Sequence, residues 1–155
     1  MQVSSYPNIF NTSVSDQVIQ RINKLKPETA ALWGKMSVDQ MLAHCNVPYE
    51  MAFTNKHPEP NFILGFILKT FVKDTVVGTK PYKKHSQTAP AFVIKGSRNF
   101  ENEKVRLISY IKQAQQLGEK HFDGKKSNSF GNLNADEWNT MFYKHIDHHL
   151  QQFGA

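Results

Sequence analysis

Asn134-Ala-Asp-Glu-Trp138-Asn-Thr-Met-Phe142-Tyr-Lys-His145-Ile-Asp-His148-His149-Leu-Gln-Gln152-Phe-Gly154 carries a helix start, a helix stop and three of the chain's seven histidines. Asn134 followed three residues later by Glu137 is a capping-box start, and Gly154 closes the stretch as a C-terminal glycine does. On a wheel of about 100° per residue with Trp138 at zero, Phe142, Ile146 and Phe153 set an apolar face centred at about +30 to +40°. His145 falls at about −20° and His149 at about +20°, both inside that face. His148 lies at its edge, at about −80°, while Lys144 and Asp147 fall on the outer side. Two imidazoles four residues apart therefore project together toward the core.

Other helices follow from the same periodicity and capping rules. One is expected at about 15–25, with Ser13 or Ser15 as cap and Val18, Ile19, Ile22 and Leu25 inward, before Pro27 interrupts it. Ser37-Val-Asp-Gln40 is a second capping box and opens a helix over about 37–53, in which Pro48 should kink the chain or end it early. A short apolar helix, Asn61–Val72, follows Pro58 and Pro60. Asn99 caps a helix running to about Gly118. Gly78–Gly96, with two prolines, reads as a long loop of the kind that forms a lid or a mobile segment. Asp123-Gly-Lys-Lys-Ser-Asn-Ser-Phe-Gly131 is turn chemistry. No stretch of strict alternation marks a sheet, and no repeat or composition shift divides residues 1–155. The economical architecture is all-α: a single antiparallel bundle domain with a long insertion between its second and third main helices.

At 155 residues and 39% hydrophobic composition, the chain can bury a core of its own. Its longest apolar run, Phe62–Leu68, is far short of the roughly 20 residues that cross a bilayer. The N-terminus lacks a basic start and an apolar signal core, and a lone cysteine, Cys45, makes no internal disulfide. A cytoplasmic protein without membrane contact is expected. Nineteen Lys and Arg against 13 Asp and Glu give +6, and the basic residues are spread along the chain, grouping only at Lys80, Lys83 and Lys84 and at Lys125 and Lys126. That excess permits an anionic partner but is the ordinary property of a solvated surface, so nucleic acid is not expected as a partner. Phe62–Val72 is apolar nearly all round and needs cover on more than one side, from which we expect a homodimer.

A third inward histidine completes the set. With Met41 at zero, His44 lies at about −60°, on the border of the apolar stripe of its helix. Neutral imidazole nitrogens bind Zn²⁺, Ni²⁺ or Fe²⁺, and the H-x-x-x-H spacing lets two ligands on successive turns grip one ion. A single inward histidine is more often a core residue with a hydrogen-bond partner, but three together among Met, Phe, Trp and Ile leave few such partners. His44, His145 and His149 are the candidate metal ligands. His148, three residues from His145, is the alternative, since histidines at that spacing can also chelate. Cys45 is about 100° from His44 and reads as core. His57, His85 and His121 lie in loop-like contexts and read as surface or lid residues. Gln152, at about −40°, is placed to hold a histidine N–H or a bound water, and Trp33 and Lys35 to line the mouth.

Trp33-Gly-Lys-Met-Ser-Val-Asp-Gln-Met-Leu-Ala-His44, Asn99-Phe-Glu-Asn-Glu-Lys-Val-Arg-Leu107 and Phe130–Gly154 together resemble the DinB-like metal-binding four-helix bundles, in particular a bacterial branch of unassigned function. The resemblance leaves out about 55–96. It implies an up-down-down-up bundle, frequently dimeric, with one histidine from the second helix and two, four apart, from the last. Carried onto this sequence, these are His44, His145 and His149. It also implies hydrolase-type or small-thiol transfer chemistry.

Three function classes follow. Three histidines leave a coordination position for water, the pattern of a catalytic ion, so the first is a metal-dependent hydrolase or small-thiol transferase acting on an unknown small-molecule substrate through the metal and its water. No inward carboxylate stands beside the triad as general base, since Asp147 faces out. The second is a non-catalytic, stress-related metal-holding protein. The third is a basic nucleic-acid-binding partner, suggested by the charge and by the DNA-damage association of the family's name.

Overall fold

The computed structural model describes residues 5–155 and is mostly helical. The first four residues of the N-terminus that was read for an export signal lie outside the described residues.

The first helix, α1, spans Thr12–Asn23, starting and ending earlier than the periodicity predicts. The first-turn carbonyl comes from Asn11, and Ser15 is buried inside the helix instead of capping it. Helix α2, Val38–Phe53, opens with the capping box of Ser37 and Gln40, as expected. It does not end at Pro48 but continues through it for five more residues. Proline removes one intrahelical donor, and Pro48 and its neighbours Val47, Tyr49 and Glu50 are buried, so packing holds the helix through it.

The insertion is more structured than a loop. Asn61 accepts from the Leu64 amide at 2.9 Å and starts α3, Phe62–Ile67, which passes through a π-turn, Leu68–Val72, into α4, Lys73–Val77. A 3₁₀ turn at Pro90–Phe92 is the only regular element described between Gly78 and Gly96. Helix α5 covers Phe100–Phe122 from its Asn99 cap. Gly118 (φ 73°, ψ 175°) breaks it where the sequence places its end, and the chain then resumes one more helical turn. The linker that reads as turns contains a small antiparallel hairpin, a correction to the wholly helical expectation: β1 (Lys126–Ser127) pairs with β2 (Gly131–Asn132), Lys126 opposite Asn132. Four residues are too few to show the alternation that marks a strand. Helix α6, Ala135–Gln152, follows the second capping box, of Asn134 and Glu137.

The core forms where α1, α2, α5 and α6 meet. Val18 and Ile22 of α1, Met41, Leu42 and Tyr49 of α2, Leu107 and Ile111 of α5, and Trp138, Phe142, Ile146 and Leu150 of α6 belong to one buried cluster. Tyr49 stacks on Phe142 at 4.5 Å between centroids, which fixes α2 against α6. Arg21 binds Asp147 at 2.7 Å and ties α1 to the outer side of α6. Lys144 does not stay on that outer side. It is 3% exposed, because α4 packs over this flank of α6. Among the described residues no helix is long and apolar enough to cross a membrane.

Candidate metal centre

The register of α2 against α6, set by Tyr49 and Phe142, brings His44 opposite His145 and His149. One ring nitrogen from each of the three lies within 4.8 Å of the others. His44 and His149 are buried, and His145 keeps partial exposure. His148 is outside this group, its ring 5.1 Å from that of His149 and turned toward Trp33 and Tyr82.

Two of the three imidazoles, His44 and His149, are oriented by their second nitrogen. His44 Nδ1 lies 2.9 Å from the Phe92 carbonyl, which can only accept, so the proton sits on Nδ1 and Nε2 carries a lone pair. Gln152 Nε2 donates to the Trp33 carbonyl at 2.8 Å, which turns the amide oxygen toward His149 Nδ1, also at 2.8 Å. His149 Nε2 is thereby left as an acceptor too. Such outer partners fix the tautomer of metal-binding histidines.

The donor set fits a divalent transition metal. His44 Nε2 and His145 Nε2 are 2.9 Å apart. Two imidazole nitrogens each about 2.0–2.1 Å from one ion are separated by about 2.9–3.4 Å at bond angles of about 90–110°. The widest separation in the triad exceeds this by up to about 1.5 Å, within the reach of a side-chain rotation. Burial is the main force that holds all three pKa values down: His44 is lowered despite the Phe92 carbonyl, His145 lies well below the usual range, and His149 falls to about 3. Mutual repulsion with His44 adds to the effect at both α6 residues. At neutral pH the three imidazoles are uncharged, with one ring nitrogen of each close to the other two.

Residues 10–155 match DUF1569, described as a protein of unknown function. The chain belongs to this family. No curated protein and no solved structure matches it. In this DUF1569 protein the surroundings of the triad come largely from the insertion. The Phe92 ring packs on His44 and His145, and the Tyr82 ring on His145 and His148. Lys144 donates to the carbonyls of Thr75, Gly78 and Lys80 at 2.6–3.2 Å and fastens the start of that segment to α6 one residue before His145.

Trp33 stands at the site through its carbonyl and through its ring, 6.0 Å from that of His148. Lys35 is exposed and no contact described here joins it to the triad; the lysine at Trp33 is Lys84, 4.2 Å above the ring. His85 and His121 are exposed, as expected of surface residues. His57 is not: its side chain is largely buried and its Nε2 lies 2.7 Å from the buried carboxylate of Glu50. Sequence reasoning missed Phe92 and Tyr82. The only signal was the unusual length of the segment carrying them, since a carbonyl acceptor leaves no mark in residue type.

Proposed function

We propose that this protein is a DinB-like four-helix bundle of up-down-down-up order, one domain throughout, that holds a single divalent transition metal through His44, His145 and His149. We infer further that it uses this ion as a metal-dependent hydrolase or small-thiol transferase. The observation that carries the reading is the pair of outer acceptors, the Phe92 carbonyl and Gln152 Oε1, which leave Nε2 of His44 and of His149 free to accept within a close cluster of three histidines. Zn²⁺, Ni²⁺ and Fe²⁺ all suit three imidazoles.

A bound ion would supply Lewis acidity, polarising an electrophile and easing ionisation of a water or thiol at its open position. The chain's own contribution is orientation and exclusion. The Tyr82 and Phe92 rings beside His145 limit the size of a substrate and keep water sparse. Among the described residues no carboxylate joins the triad, and Asp147 is held away by Arg21. Half-buried His148, between Trp33 and Tyr82, is the titratable group placed to move a proton at the rim.

The aromatic cover over His145 also favours a second reading, a non-catalytic metal-holding protein. Metal-dependent, saturable hydrolysis of small esters or transfer to thiol acceptors, abolished by His145→Ala and unaffected by His121→Ala, supports the enzyme. Full metal occupancy without turnover across such a panel supports the holder. DNA binding that weakens steeply with salt and survives chelation would replace both.

A further inference from the structure

Helix α3 and the π-turn after it place six large apolar side chains in solvent: Phe62 is 90% exposed, Ile63 71%, Leu64 46%, Phe66 62%, Ile67 43% and Phe71 72%. Successive helical residues point about 100° apart, so exposure at 62, 63 and 64 together means that water meets this helix around most of its circumference. Scattered exposed apolar residues are ordinary on a folded protein, whereas a contiguous set of this size marks a contact surface.

Charge identifies the contact. Residues 55–84, which carry the helix, hold six lysines against two acidic residues, so +4 of the chain's +6 falls in this segment. Lys69 sits within the apolar run itself, and with Lys126 it lines the same groove of about 250 Å³ as Phe62 and Phe66. Lys126 is paired there with Glu59, but Lys69, Lys80, Lys83 and Lys84 form no ion pair among the described residues. A two-fold contact between copies of the chain would set this cationic segment against itself, and like charges across an interface are costly. A second copy would also cover one side of a helix that is exposed on several. An anionic bilayer answers both features, because acyl chains surround an immersed helix and lipid phosphates neutralise lysines.

We propose that Phe62–Val72 is an interfacial anchor that seats this protein on an anionic lipid surface, with Phe62, Ile63, Phe66 and Phe71 in the headgroup–acyl boundary and Lys69, Lys80 and Lys83, which no acidic side chain among the described residues neutralises, at the phosphates. This rests on the exposed helix and its charge and is independent of the metal reading. The self-association expected for this helix from the sequence is the competing occupant.

The test is co-sedimentation of the full chain with vesicles of phosphatidylcholine alone or with about a third phosphatidylglycerol, at near-physiological salt. The wild type should sediment with the anionic vesicles. Binding should be at least about tenfold weaker to the neutral ones, and at least about tenfold weaker for Phe62→Ser/Phe66→Ser on the anionic ones. Both replaced side chains are largely in water, so helicity by circular dichroism should be unchanged. A Phe66→Trp variant should shift its emission to the blue with anionic vesicles. Three results would overturn the proposal: no vesicle binding by the wild type, binding that the double substitution leaves intact, or a wild-type dimer in light scattering that the double substitution dissolves.

Discussion

Gln152 joins α6 to the segment before α2, accepting from His149 Nδ1 while donating to the Trp33 carbonyl. Removing such an outer partner typically lowers metal affinity by about 10–100-fold, because the ring loses its fixed tautomer and orientation. Gln152→Ala should therefore weaken Zn²⁺ binding by about that factor in a competition titration, with little change in helicity. The imidazoles also set a pH dependence for the metal-free protein. An unfolded chain protonates His149 at its ordinary value of 6.5, whereas burial holds it at about 3 in the fold. Between these values the unfolded state carries the extra proton, so stability falls as pH drops below about 6.5, by up to about 1.4 kcal/mol per pH unit from this residue. Urea denaturation between pH 7 and 5 should show the loss, and His149→Gln should reduce its slope. The H-x-x-x-H spacing and the apolar wheel put His145 and His149 inward and His148 at the edge, and both placements are visible in the fold. Lys144 was misplaced on the outer side, because a wheel drawn from one helix cannot know that α4 will pack over that flank.

The elements were legible in proportion to how local their causes are. Both capping boxes, Ser37 with Gln40 and Asn134 with Glu137, mark helix starts that the fold shares, because a cap is satisfied within four residues. Pro48 does not end α2, since its local cost is overridden by burial from distant helices. The hairpin at 126–132 is too short to read. The segment after α4 was visible as an anomaly of length only, yet it supplies Tyr82 and Phe92. Its attachment at Lys144 is testable. The ammonium, which burial draws down to about 8, donates to three backbone carbonyls at the end of α4 and just beyond. Lys144→Met keeps the volume and removes the donors, at a cost of about 1.5–3 kcal/mol. Hydrogen exchange should rise over residues 75–92, while α2 and α5 stay as protected as in the wild type.

At the scale of the molecule, the core of α1, α2, α5 and α6 sets two helices in a register that makes three separate histidines into one site. Metal binding should then feed back on folding, since an ion that binds only the folded chain stabilises it by RT ln(1 + [L]/Kd), about 2.7 kcal/mol at a hundredfold excess over Kd. Zn²⁺ should raise the thermal midpoint and a chelator reverse the rise, whereas His44→Ala should show neither effect. The most direct test of the account is elemental analysis of the untagged protein, saturated in turn with Zn²⁺, Ni²⁺ and Fe²⁺ at neutral pH and freed of excess metal. It should retain one ion per chain, fall to near zero in His44→Ala, His145→Ala and His149→Ala, and keep its full content in His148→Ala. A wild type that retains no divalent ion, or a site emptied by His148→Ala and spared by His149→Ala, would contradict it.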